Sequence, residues 1–97
     1  MNRLFYVYIL TNFNNTVLYT GVTSNLLRRV DEHRTGRGSE FTRKYKTNKL
    51  VYYQVTEDIR SAIAEEKRIK GGSRRKKIDL VNAMNPEWRD LYDELCG

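Results

Sequence analysis

Phe5-Tyr6-Val7-Tyr8-Ile9-Leu10, the polar run Thr11 to Thr16, and then Val17-Leu18-Tyr19-Thr20-Gly21 form the stretch that decides the fold. Both alternating faces of the first run, Phe5/Val7/Ile9 and Tyr6/Tyr8/Leu10, are largely apolar. A strand here is therefore expected to be covered on both sides and to lie centrally in its sheet. Asn12, Asn14 and Asn15 mark a turn that tolerates left-handed backbone. The two runs read as an antiparallel hairpin.

Working outward, Ser24 is the expected N-cap of a helix over Asn25 to Arg34. Thr35 to Asn48 lacks apolar periodicity, contains Gly36 and Gly38, and is rich in cations. It reads as a long basic loop, a length that in compact domains goes with function. Leu50 to Val55 is a third strand. Asp58 or Ser61 opens a second helix through about Lys70, ended by Gly71-Gly72. Ser73 caps a third helix to about Met84, and Asn85-Pro86 breaks it. Trp88, Leu91, Tyr92 and Leu95 recur with helical spacing and predict a short terminal helix with an apolar stripe. The order ββα-β-αα(α) predicts an α+β fold, a small three-stranded antiparallel sheet flanked by helices, rather than a doubly wound parallel sheet.

The chain has 97 residues and a net charge of +6, which suits a single domain over 1–97. Charge is uneven. Between Arg28 and Lys77 there are 16 Lys/Arg against 7 Asp/Glu, and Glu87 to Glu94 is acidic. A basic middle favours a polyanionic partner through phosphate neutralisation. The lone Cys96 allows no internal disulfide and fits a reducing cytoplasm. No apolar run or leader pattern suggests a membrane span or secretion. One His and one Cys are too few for a zinc finger, and no phosphate-binding Gly-rich loop is present.

Helical phase sorts the charged residues. At 100° per residue, Leu26, Leu27 and Val30 form the expected buried stripe of the first helix. Arg28 points away from it. Arg29 and His33 lie along one edge, facing the hairpin, either as site residues or as an arginine stem over the core edge beside a boundary histidine. On the second helix Ile59, Ala62, Ile63 and Ile69 form the stripe. Glu66 falls near its middle and Glu65 outside it. A carboxylate on an apolar face is paired, lies at an exposed edge, or binds a metal. A Glu66–Arg29 ion pair is one alternative. A hard divalent cation is another, since such ions are often held by one or two carboxylates plus water and phosphate. Tyr8 and Tyr19 beside Arg29 and His33 complete the set. Any one tyrosine alone reads more readily as core packing with its hydroxyl at the rim, but a phenol near cations and a metal can have its pKa lowered and act as a general base.

Tyr6-Val7-Tyr8, Tyr19-Thr20-Gly21, Arg29, His33 and Glu66, in this order and spacing, resemble the GIY-YIG nuclease domain over nearly the whole chain. His33-Arg34-Thr35-Gly36-Arg37-Gly38, Glu66-Lys67-Arg68-Ile69-Lys70 and Asn85-Pro86-Glu87-Trp88 are similar to its small single-domain bacterial group. That group is itself similar to the catalytic domain of the UvrC excision-repair subunit and to Slx-type nucleases. Tyr6 stands where the first motif has Gly, and Thr20 replaces an aliphatic in the second.

The resemblance implies a divalent-metal-dependent endonuclease (Mg²⁺ or Mn²⁺) acting on DNA more readily than RNA, in repair or recombination. Tyr8 would be general base or water-positioning group, and Tyr19 would organise water or phosphate. Arg29 would stabilise phosphate charge, His33 would bind phosphate or orient Tyr8, and Glu66 would hold the metal. Gly21 would allow close backbone approach. Arg37, Arg43, Lys44 and Lys70 would contact substrate, Asn85 would contact phosphate or support the site, and a protein partner would be a further source of specificity. The alternative is a nucleic-acid-binding module on the same fold that does not cut.

Overall fold

The computed structural model describes residues 3–96. Phe5–Thr11 (β1), Leu18–Thr23 (β2) and Lys49–Thr56 (β3) form an antiparallel sheet in the order β2-β1-β3. The hairpin turn is held by the Asn12 side chain, whose Oδ1 accepts from the backbone N–H of Thr16 (2.8 Å) and Val17 (3.0 Å). Asn15 takes the left-handed conformation at φ 59°, which its short polar side chain tolerates.

β1 is covered on both faces, as its sequence demands. Val7 and Ile9 pack with Val51 and Tyr52 against Ala62 and Ile69 of Ile59–Lys70 (α3) and Val81 of Arg74–Met84 (α4). Tyr8 and Leu10 pack with Leu50 against Leu26 and Val30 of Leu26–Arg34 (α1) and Leu91 of Leu91–Cys96 (α5). Asp58 and Ser73 cap α3 and α4 by accepting from Arg60 N and Lys76 N. Among the described residues no helix is long and apolar enough to cross a membrane.

Several expectations change. The N-cap of α1 is Asn25, not Ser24, its Oδ1 accepting from Arg28 N at 3.1 Å. The stretch expected as a long basic loop contains a further helix, Glu40–Tyr45 (α2). Ser39 Oγ accepts from Thr42 N while Thr42 Oγ1 accepts from Ser39 N, both at 3.1 Å. This is a reciprocal cap with Thr in the place usually held by Glu or Gln. Two turns are too short to display a 3.6-residue period, so capping was the available signal.

The apolar stripes are also narrower than expected. Leu27, Ile59 and Ile63 are exposed, because each helix lays one ridge on a small sheet. Trp88 lies before α5 at φ 54° and Leu95 is exposed, so Leu91 alone is the buried anchor of α5.

Asn85 is a structural residue. A bulge in the β1–β3 ladder leaves Val51 without a partner, since Ile9 faces Tyr52 and Leu10 faces Leu50. Asn85 Nδ2 donates to the Val51 carbonyl (3.2 Å) and to the Arg89 carbonyl (2.8 Å), and its Oδ1 accepts from Arg89 N. The side chain satisfies the carbonyl the bulge orphans. Its amide is fully committed, which removes the expected phosphate contact.

Candidate active site

The hairpin and α1 bring Tyr8, Tyr19, Arg29 and His33 together. Tyr8 and Gly21 are directly opposite in the β1–β2 register, so their side-chain positions share a face. The Tyr8 ring lies over the Gly21 Cα, and a Cβ at residue 21 would collide with the phenol. Gly21 thus makes room for Tyr8. Tyr19 stacks beside Tyr8 with centroids 6.5 Å apart. His33 approaches both rings edge-on, at 6.0 Å and 5.4 Å.

Tyr8 Oη is 3.1 Å from His33 Nε2, and His33 Nδ1 is 2.8 Å from Thr42 Oγ1. His33 and Thr42 are both buried. Helix α2 therefore buttresses the histidine from behind. Thr42 and Gly38 belong to this site and were not singled out from the sequence. A Cβ on Gly38 would run into the His33 imidazole. The Ser39-x-x-Thr42 cap was the sequence signal for the first, and nothing local signals the second.

Burial, and then the charge of Arg29, push His33 down to about 4, so the ring is neutral near pH 7. The unfolded chain binds a proton here at its ordinary 6.5, which the folded chain refuses until about pH 4. Stability therefore falls as pH drops through this window. Denaturant titrations should show a loss of about 2 kcal/mol between pH 7 and pH 5 that His33→Gln removes. An unchanged slope in the variant would show that His33 is not the group responsible.

The protein groups by themselves push the Tyr8 phenol up rather than down. Burial, reinforced by the neighbouring Tyr19 and opposed by the adjacent Arg29 guanidinium, raises its phenol to about 12. Desolvation of a phenolate outweighs one half-exposed cation. The Arg29 guanidinium beside Tyr8 also pairs with Glu32 at 3.0 Å. The expected alternative of a Glu66–Arg29 pair is not what forms.

Glu65 and Glu66 differ by direction. Glu65 Oε2 accepts from Gln54 Nε2 on β3 at 2.7 Å, and its carboxylate takes two hydrogen bonds from Arg68. Those contacts, Arg68 first, hold it down at about 2. Glu65 is thus packed onto β3 rather than lying outside the stripe. Glu66 looks the other way. Its side chain is 14% exposed, Lys70 Nζ is 3.5 Å from Oε2, and its charge is felt at Tyr8. Although α3 covers the opposite face from Tyr8, Lys70 reaches the edge of the site beside strand β2. There Lys70 shares a cavity of about 350 Å³ with Leu18, Tyr19, Thr20, Phe41 and Lys77.

Among the described residues no three carboxylate, His or Cys groups gather as a metal cage. The carboxylate that pairs with Lys70 of that edge is Glu66. A single carboxylate beside solvent fits a hydrated hard cation and does not fit zinc. Of the other expected contacts, Arg37 lies at the surface against Asp31, 3.4 Å away. Arg43 and Lys44 are exposed on α2.

A family model described as the GIY-YIG catalytic domain matches residues 4–79. A UPF0213 protein of Clostridium perfringens is 40% identical over 90 residues, covering 93% of this chain and 96% of the relative. A UPF0213 protein of Syntrophus aciditrophicus is 37% identical over 83 residues, covering 84% and 93%. The solution NMR structure of the UPF0213 protein of Bacillus halodurans superposes with a TM-score of 0.58 at 32% identity, covering 90% of this chain and 92% of that one. With the family model covering most of the chain and the fold shared with a structure 32% identical to it, the chain belongs to the GIY-YIG family.

Proposed function

We propose that this protein is a divalent-metal-dependent endonuclease that hydrolyses phosphodiester bonds in DNA, with Tyr8, Tyr19, Arg29, His33 and Glu66 as its reactive set. The observation that supports this best is the direction of Glu66. Its charge is felt at Tyr8 and it pairs with Lys70, which shares a cavity with Tyr19, while its neighbour Glu65 is locked to β3.

Mg²⁺ or Mn²⁺ held by Glu66 would lower the pKa of a bound water, whose proton would pass to solvent, and would supply positive charge against a phosphoryl oxygen. The protein groups do the rest. Tyr8, held protonated by burial, donates its hydroxyl to neutral His33 Nε2 and turns its oxygen lone pairs toward the attacking water. It is a water-positioning group in this reading, since a phenolate base is disfavoured at so high a pKa. His33 is kept in place by Thr42 and needs no charge for that task. Tyr19 orders the other side of the water or phosphate. Arg29, which is partly exposed beside Tyr8, places its guanidinium on the phosphate as negative charge builds there. Arg43, Lys44 and Lys70 hold flanking phosphates.

The test is incubation of purified protein with supercoiled plasmid and single-stranded DNA in Mg²⁺, Mn²⁺ or EDTA. Cleavage with metal and none in EDTA is expected. Salt-sensitive binding with no cleavage in any metal would instead leave a nucleic-acid-binding module on this fold.

A further inference from the structure

An aromatic ladder leaves the site and ends in solvent. Tyr8 stacks beside Tyr19, Phe41 lies 5.7 Å from Tyr19, and Tyr45 lies 4.7 Å from Phe41. The first ring is buried, whereas Phe41 and Tyr45 are 40% and 42% exposed. Both sit on α2, which the hydrophobic effect does not require to expose two aromatic rings on one side. Phe41 is a shared wall of two cavities. One, of about 350 Å³, holds Lys70 and Lys77 opposite Tyr19. The other, lined with Arg43, Lys44 and Tyr45, is about 650 Å³. Lys44 Nζ lies 5.3 Å from the Tyr45 ring centroid, and Lys77 Nζ donates to the Gly72 carbonyl at 2.9 Å. Lys44 thus borders the Tyr45 ring, and Lys70 and Lys77 line the cavity that Phe41 walls.

Rings flanked by cations match a strand whose bases are free and whose phosphates run alongside. A base inside a duplex has both faces covered by its neighbours, so these rings have nothing to stack on there. We propose that Phe41 and Tyr45 form a stacking platform for an unpaired nucleobase next to the scissile phosphate. The substrate class is then a single strand or a frayed end. The neighbouring site's identity rests on the nuclease reading above. The platform adds the strand state of what enters it.

The test measures fluorescence anisotropy of labelled oligothymidylate and of a blunt duplex of equal length, in EDTA, with wild-type protein and with Phe41→Leu and Tyr45→Leu. Leucine keeps apolar bulk against Tyr19 and removes the ring, and circular dichroism checks the fold. The single strand should bind at least about tenfold tighter than the duplex. Each leucine variant should lose roughly tenfold on the single strand and little on the duplex. Equal affinities for the two forms, or leucine variants within twofold of wild type on the single strand, overturn the platform. The same samples are then assayed for cutting with Mg²⁺ and Mn²⁺. Cutting without strand preference would leave the nuclease reading standing and remove this one. Ring-dependent single-strand binding with no cutting in any metal would do the reverse.

Discussion

Glu66→Gln abolishes metal-dependent cleavage, by on the order of 10³-fold or more, and barely changes stability. The amide keeps the shape of the side chain but loses the charge a hard cation needs. The ion pair that Glu66 makes is with the largely exposed Lys70, and pairs of that kind are worth little. Glu65→Gln is the matched control. It gives up charge-assisted hydrogen bonds to Arg68 and should lower stability by about 1 kcal/mol while cleavage persists. Plasmid-nicking rates and urea midpoints for the two variants decide the matter. Undiminished nicking by Glu66→Gln, or loss of nicking in Glu65→Gln alone, would place the metal elsewhere.

The second large effect is expected at Gly21. Its φ does not lie in the left-handed range, so the backbone accepts alanine. The difficulty is the Tyr8 ring, which occupies the space the new methyl needs and is itself buried. Gly21→Ala should cost about 1–3 kcal/mol. It should also slow cleavage about 10²-fold, because a displaced Tyr8 no longer positions water. Tyr8→Ala vacates that space. The double variant should then be more stable than the sum of the single losses by about 1 kcal/mol or more. Simple additivity in the unfolding data would show that Gly21 and Tyr8 do not compete for space.

Local sequence was informative wherever a single element carries the signal. Two-faced apolar alternation identified β1 as the central strand, and the Asn-rich turn identified the hairpin. The Ser73 cap and the Gly71-Gly72 stop bounded α3 and α4. Helical phase placed Arg29 and His33 on the side of α1 that meets the hairpin. Helix α2 was missed because six residues cannot display a period. With it went Thr42 behind His33 and the rings of Phe41 and Tyr45. The burial that raises the Tyr8 phenol was not legible either, because it is set by α1, α5 and the sheet together.

The sequence by itself determined every element but α2, the family resemblance and the residue types able to bind phosphate and a hard cation. Those follow from spacing along one strand or one helix. Tertiary structure decided what holds each of the two adjacent glutamates, Gln54 on β3 taking Glu65 while Glu66 pairs with Lys70. It also decided why residue 21 is glycine and why residue 85 is asparagine. One lies under a ring from the opposite strand, and the other satisfies a carbonyl orphaned by a bulge. Each of these depends on packing between residues far apart in the chain.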